Sequence, residues 1–185
     1  MLDPHPRETF TVGVLGLGVL GAQVAQAVAA FGLPVRGFSR SARQIDGITT
    51  FAGAAQYDAF LDGVKVLVNL LPHTPDTHDV LNARTFSKLA RGAYLINVAR
   101  GGHLVEADLL DALASGQLAA ATLDVFRDEP LPVDHPFWQA PRVTITPHMS
   151  ALTLREESVE QVARKIKALM RGETVGGVVN LQRGY

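Results

Sequence analysis

Six apolar runs of strand length recur along the 185-residue chain, and segments with helical spacing separate most of them. The runs are residues 11–15, 35–38, 64–70, 94–98, 119–125 and 143–146. The helical segments are residues 20–31, 54–61, a stretch capped by Asn82 and running to Leu89, and 105–115. Strands that read as short continuous apolar runs are buried on both faces, which is the condition of a parallel sheet covered by helices. The pattern therefore predicts an α/β fold, a doubly wound parallel sheet of the Rossmann type.

Composition agrees with a globular domain: 47% of residues are hydrophobic and 19% are charged. Seventeen Lys and Arg against eighteen Asp and Glu leave a net charge of -1. No positive excess exists to hold a nucleic-acid backbone or a membrane surface, so neither is expected as a partner. Cysteine is absent, which removes disulfides, thiolate metal sites and cysteine nucleophiles from consideration. No apolar stretch is long enough to cross a membrane, and the polar start MLDPHPRETF lacks the apolar core of a signal peptide. A cytoplasmic location is the expectation.

Three parts are expected along the chain: a linker over residues 1–9, the nucleotide-binding domain over 10–150, and a C-terminal helix and tail over 151–185. The C-terminal helix, residues 154–171, is charged and amphipathic, with Val159, Val162, Ile166 and Leu169 able to share a face.

The first run stops at Gly16-Leu17-Gly18-Val19-Leu20-Gly21, between a predicted strand and a predicted helix. In a dinucleotide site the first glycine permits a tight turn, and the second lets backbone approach a pyrophosphate. The third allows helix and strand to pack closely. The helix start, at Val19 and Leu20, then offers unpaired N–H groups to phosphate oxygens. The second run ends in Ser39-Arg40-Ser41-Ala42-Arg43, with no carboxylate before Asp46. An NAD site usually carries an acid there to bind the ribose hydroxyls, whereas a guanidinium pairs with a 2′-phosphate. The reading is NADP, with NAD less favoured.

Three later segments carry reactive side chains. They are Asn97-Val98-Ala99-Arg100-Gly101-Gly102, then Leu123-Asp124 with Glu129-Pro130, and Thr146-Pro147-His148. A guanidinium can fork a carboxylate. A histidine titrates near neutrality, and a neighbouring carboxylate sets its tautomer, which suits proton transfer to a carbonyl oxygen. The other histidines show no ligand spacing. His5, His78, His103 and His135 are read as surface residues, His73 as a neighbour of ribose or solvent, and no metal is expected. Trp138 is either a local packing residue, the favoured reading, or a contact of the substrate pocket or a dimer interface.

In the segments VGVLGLGVLG, FSRS, NLLPHTPDT, LINVARGGHLVEADLLDAL, LDVFRDEPLP, HPFW, RVTITPH and the terminal QRGY, the chain resembles the D-isomer-specific 2-hydroxyacid dehydrogenases. Within that family it is most similar to the glyoxylate/hydroxypyruvate reductase A group. The resemblance implies reduction of a small 2-keto acid to the D-2-hydroxy acid. It implies that Arg100 binds the substrate carboxylate, that His148 is the acid and base, and that Glu129 orients His148. It further implies that Gly16, Gly18, Val19, Leu20, Gly21, Ser39, Arg40 and Ser41 line the cofactor. Leu71, Pro72, Thr77, Val98, Ala99, Arg100, Asp124 and His148 complete that set, and a homodimer is expected.

Members of the family begin with a separate substrate domain, and this chain starts almost at the nucleotide-binding strand. The expectation is that the substrate domain is absent, that residues 151–185 would complete it, and that the chain binds cofactor with little turnover. Two other readings use the same glycine turn: a nucleotide-sensing binding module of the corepressor type, and a methyltransferase. Arg40 speaks against the NAD-binding corepressors, and the RG, EP and PH segments, with no acid at the end of the second strand, speak against a methyltransferase.

Overall fold

The structure is a computed structural model, and it describes residues 6–151 and 153–179. Seven strands form one all-parallel sheet: β1 (Val12–Leu15), β2 (Val35–Ser39), β3 (Thr49–Ala52), β4 (Val66–Asn69), β5 (Ala93–Asn97), β6 (Leu118–Leu123) and β7 (Val143–Ile145). Their order is β3-β2-β1-β4-β5-β6-β7. The chain winds outward from β1 in one direction, returns, and winds out in the other. The crevice at such a reversal, between β1 and β4 here, is where doubly wound sheets bind ligands.

Helices α1 (Val19–Ala29), α2 (Tyr57–Leu61), α3 (Ala83–Lys88) and α4 (Glu106–Ala114) make four of the six crossovers. One apolar cluster centres on Phe60, Leu67, Phe86, Leu95, Leu109 and Leu118, and a second on Val14, Leu17, Ala25 and Val35. Local chemistry sets several boundaries. Gly32, at φ 76°, ends the turn after α1 in a conformation that costs other residues energy. The Asn82 side chain accepts a hydrogen bond from the Thr85 N–H at 3.1 Å and caps α3. The stretch read as one helix from residue 54 divides into a 3-10 turn at Ala54–Gln56 and then α2.

The strand β3 was not expected. Its Thr49-Thr50-Phe51-Ala52 has no buried residue and lies at the edge of the sheet, so it lacks the apolar run that marks the buried strands. Pairing of Arg36 with Thr49 through Ser39 with Ala52 recruits it.

Two compact units divide the chain, residues 1–148 and 149–185. The first holds the sheet. In the second, α5 (Arg155–Met170) carries Val159, Val162, Ile166 and Leu169, all exposed. The divide lies two residues before the expected boundary at 150. The terminal QRGY and His5 lie outside the described residues. No helix among the described residues is long and apolar enough to cross a membrane.

Gly21 is where the fold tolerates no side chain, because an added Cβ would sit 1.8 Å from the Gly16 carbonyl oxygen. At Gly18 a Cβ would meet nothing within 4 Å. Gly21→Ala is therefore expected to destabilise the chain by about 1–3 kcal/mol, as overpacked sites do. Gly18→Ala meets no such clash and is expected to cost less, below about 1 kcal/mol, through a poorer N-cap. Urea melts of both variants check the contrast, and equal losses would contradict it.

Candidate active site at the strand ends

Register places the carboxyl ends of the strands on one edge. Leu15 pairs with Phe38 and Asn69, Asn69 with Asn97, Asn97 with Leu123, and Leu123 with Ile145. Every loop that carries a candidate residue leaves from this edge.

The first loop is the glycine turn. Gly16 adopts φ 107°, and its N–H donates to the Phe38 carbonyl at 2.9 Å. A Cβ on Gly16 would meet the Leu70 carbonyl oxygen at 2.7 Å, so this turn fits between β2 and β4 only as glycine. Helix α1 starts at Val19, which is 83% exposed, with Leu20 50% exposed. Its first-turn N–H groups have no intrahelical acceptor, and Gly18 caps it without a side chain. The open space over Gly18 and these N–H donors fit a pyrophosphate. After β2, Arg40 and Ser41 are exposed. Ser39 is buried, and its hydroxyl donates to the Ser41 carbonyl at 2.7 Å.

The loop after β4 holds Leu71, Pro72 and Thr77, all partly exposed. The Thr77 hydroxyl donates to the Pro72 carbonyl at 2.8 Å and accepts from the Thr74 N–H at 2.9 Å, so it braces its own loop. After β5, Val98 is partly exposed and Ala99 is buried. After β6, Asp124 is buried, and its carboxylate accepts from the Thr146 hydroxyl at 2.5 Å. This bond ties the end of β6 to the segment that carries His148.

Arg100, Glu129 and His148 line one cleft of about 640 Å³, with His73, His78 and Arg127 also on its wall. Glycines floor it. A Cβ on Gly101 would sit 1.8 Å from the Phe126 carbonyl carbon, and one on Gly102 would sit 2.6 Å from His73 Cε1. His148 Nδ1 lies 2.8 Å from Glu129 Oε2, and Glu129 Oε1 accepts the Phe126 N–H at 2.9 Å. Partial burial works against the charged Glu129. The His148 and Phe126 hydrogen bonds and the Arg100 charge outweigh it, and the carboxyl titrates below its ordinary range. An ionised Glu129 can only accept, so Nδ1 carries the proton and Nε2 of His148 is the nitrogen left to exchange protons. His148 has φ 51°, a left-handed conformation costing a residue with a Cβ about 1–2 kcal/mol. Its N–H to the Thr146 carbonyl, at 3.1 Å, helps hold it.

The structure corrects two histidines. His103 is fully buried rather than on the surface, bonded to Asn69 Nδ2 at 2.9 Å and near the Pro72 carbonyl at 3.3 Å. His135 is partly buried against Glu106, at 3.2 Å. His78 is exposed and pairs with Asp79 at 3.1 Å. The Trp138 indole N–H donates to the Pro132 carbonyl at 2.8 Å while the ring stays half exposed; its neighbour Phe137 is the buried aromatic. Sequence reasoning also missed Asn69 and Asn97, buried amides at the ends of β4 and β5. The available signal was a polar residue closing an apolar run, VLVN and YLIN.

Burial pushes the His103 imidazole down to about 4, with the nearby His73, Arg100 and His78 acting in the same direction. The unfolded chain binds a proton there near pH 6.5, the folded chain only near 4. Stability from this group is whole above pH 6.5 and is lost as pH falls from 6.5 towards 4. The loss is roughly 3 kcal/mol at 1.36 kcal/mol per unit. Denaturant melts at pH 7, 5.5 and 4.5 are expected to show this slope in the native chain and to lose it in His103→Gln. A slope unchanged in that variant would assign it to another group.

Residues 4–150 match the family described as D-isomer specific 2-hydroxyacid dehydrogenase, NAD binding domain. The whole chain is similar to a glyoxylate/hydroxypyruvate reductase A of Serratia proteamaculans (strain 568), at 61% identity over 184 residues. A reductase of the same description from Yersinia enterocolitica is 54% identical over 184 residues. The chain spans 59% of the length of each of these curated relatives. Among solved structures, a D-isomer specific 2-hydroxyacid dehydrogenase from Xanthobacter autotrophicus Py2, in complex with NADPH and MES, superposes at a TM-score of 0.95. It is 42% identical, and the match covers 100% of this chain and 76% of that one. An NADPH-dependent glyoxylate/hydroxypyruvate reductase from Sinorhizobium meliloti, in complex with NADP and sulfate, gives 0.94 and 42%, covering 100% of this chain and 60% of that one. The match over residues 4–150 and these identities place this chain in the D-isomer specific 2-hydroxyacid dehydrogenase family.

Proposed function

We propose that this chain binds NADPH across the strand ends and, as part of an NADP-dependent reductase, directs hydride transfer to a small 2-keto acid. The observation that carries the reading is the 2.8 Å pairing of His148 with Glu129 in the cleft that Arg100 also lines. That cleft opens on the same sheet edge as the glycine turn.

When bound, the dihydronicotinamide ring supplies the hydride that adds to the keto carbon. The Arg100 guanidinium holds the substrate carboxylate through paired N–H donors and draws charge toward the carbonyl oxygen as it becomes an alkoxide. His148, protonated at both nitrogens before the step, gives the Nε2 proton to that oxygen. Glu129 keeps hold of Nδ1, stabilises the imidazolium and sets the ring's direction. In the reverse direction the same Nε2 takes the hydroxyl proton. Asp124, held by Thr146, and the Val98–Ala99 backbone are the groups that would hold the carboxamide in this reading.

The reading further assigns the 2′-phosphate to the exposed Arg40 loop, with glyoxylate and hydroxypyruvate as substrates. Its support is the guanidinium where an NAD site carries an acid, together with the relatives described as NADPH-dependent reductases. The side chains of His148 and Glu129 are 48% and 36% exposed. Water in contact with the acid–base pair weakens catalysis by charged groups, so slow turnover by this chain alone is part of the proposal.

A fluorescence titration is expected to give tighter binding of NADPH than of NADH, and Arg40→Asp is expected to weaken NADPH binding by about ten- to a hundredfold while sparing NADH. An NADPH affinity left unchanged by Arg40→Asp would remove the phosphate role. Steady-state NADPH oxidation with glyoxylate at a rate normal for a full-length reductase would contradict the proposed slow turnover.

A further inference from the structure

We propose that His103 is a positioning residue whose buried ring joins the cofactor loop after β4 to the Arg100 turn after β5 and holds them at one spacing. The proposal rests on the dinucleotide reading of this sheet edge for its consequence, and on the hydrogen bonds alone for its geometry.

The bonds form a closed set with one possible assignment of protons. Asn69 Oδ1 accepts the Leu71 N–H at 3.3 Å, so its amide nitrogen points the other way. That nitrogen donates to Asn97 Oδ1 at 3.0 Å and to His103 Nδ1 at 2.9 Å. Asn97 Oδ1 also accepts the Ala99 N–H at 3.3 Å, and its amide nitrogen donates to the Arg100 carbonyl at 3.2 Å. Because Asn69 can only donate to Nδ1, the single proton of the neutral ring lies on Nε2. There it faces the Pro72 carbonyl at 3.3 Å and the Thr77 hydroxyl at 3.4 Å. Both ends of the ring therefore bond to β4 and the loop after it, while His103 itself sits in the turn that follows Arg100. A second proton, on Nδ1, would face the Asn69 amide hydrogens, and burial keeps the ring neutral at pH 7.

Nothing in the proposed chemistry uses this ring, although it is fully buried and lies against His73 of the cleft wall. Burying an imidazole beside Arg100 and two further histidines costs stability, and an apolar side chain would avoid that cost. Its hydrogen bonds supply what an apolar side chain cannot: a fixed distance between Pro72 and Arg100. His73 packs against the ring in a tilted arrangement at 5.5 Å between centroids, and Gly102 leaves room for it, so this part of the cleft wall rests on His103.

Two variants separate the two ends. In His103→Asn an amide oxygen reaches the Nδ1 position and keeps the bond from Asn69, but nothing reaches Pro72. In His103→Gln an amide nitrogen reaches the Nε2 position and keeps the bond to Pro72, but Asn69 loses its acceptor. Amide hydrogen exchange of the full chain without nucleotide is the first readout, and NADPH titration is the second. His103→Gln is expected to speed exchange at Leu71 and Ala99 about five- to tenfold. His103→Asn is expected to speed it at Thr74 and Thr77 and to weaken NADPH binding by a similar factor. Leu67 and Leu95, in the strands, keep native exchange in both variants.

Unchanged exchange at all four loop amides would overturn the proposal. So would uniform acceleration that includes Leu67 and Leu95, since that is what mere loss of stability produces. If the loop amides respond as expected but the native chain binds neither NADPH nor NADH, the bridge stands and the cofactor reading fails.

Discussion

The rest of the structure depends on the close backbone contact at Gly16. A parallel sheet that reverses its winding leaves a gap between β1 and β4, and the chain must turn inside that gap. Gly16 does so at φ 107°, bonded to the end of β2 and in contact with the carbonyl of Leu70. Gly21 then brings α1 down onto the same turn. A side chain at either place would push the helix off the sheet. The consequence is a helix start that faces the strand edge with its N–H groups unpaired, at the point where all other functional loops arrive.

At that edge, charge is arranged in two ways. Around the cleft, the Arg100 guanidinium shares the wall with the His148–Glu129 pair, and Arg127 is ion-paired with Asp79. Behind the cleft, polarity is neutral and fully paired. Asn69, Asn97 and His103 are buried, and no described buried side-chain nitrogen or oxygen lacks a partner. Such pairing is what makes buried polarity rigid rather than merely costly. The exposed groups that meet ligands thus stand on a hydrogen-bonded base, with Glu129 clamped by Phe126 and His148 tied in turn to Glu129.

Much of this was legible in the sequence because its causes are local. All six apolar runs became strands, and Asn82 and Gly32 mark helix ends by the chemistry of a few neighbouring residues. The glycine turn stood out because its three glycines lie close together in sequence, although the contact that demands glycine at Gly16 is with Leu70 on another loop. Strand β3 was hidden because edge strands need no apolar run, and Thr49 and Thr50 look like loop residues. His103 was misread for a different reason: a histidine after two glycines looks solvated, and only Asn69 and Pro72, some thirty residues earlier, bury and pair it. Arg100, Glu129 and His148 were visible as chemistry and through resemblance, but their convergence on one cleft depends on the register of β5, β6 and β7.

In the proposed binding mode, one nucleotide spans the sheet edge from the Arg40 loop, over the glycine turn, to the cleft of Arg100 and His148. Backbone amide shifts of the isotope-labelled chain, followed while NADPH is added, test it most directly. A single binding event is predicted to move Gly18 to Leu20, Arg40 and Ser41, and Gly101 and His148 together, with the outer face of α4 unmoved. Shifts confined to one of these three regions, or centred away from the strand ends, would contradict it.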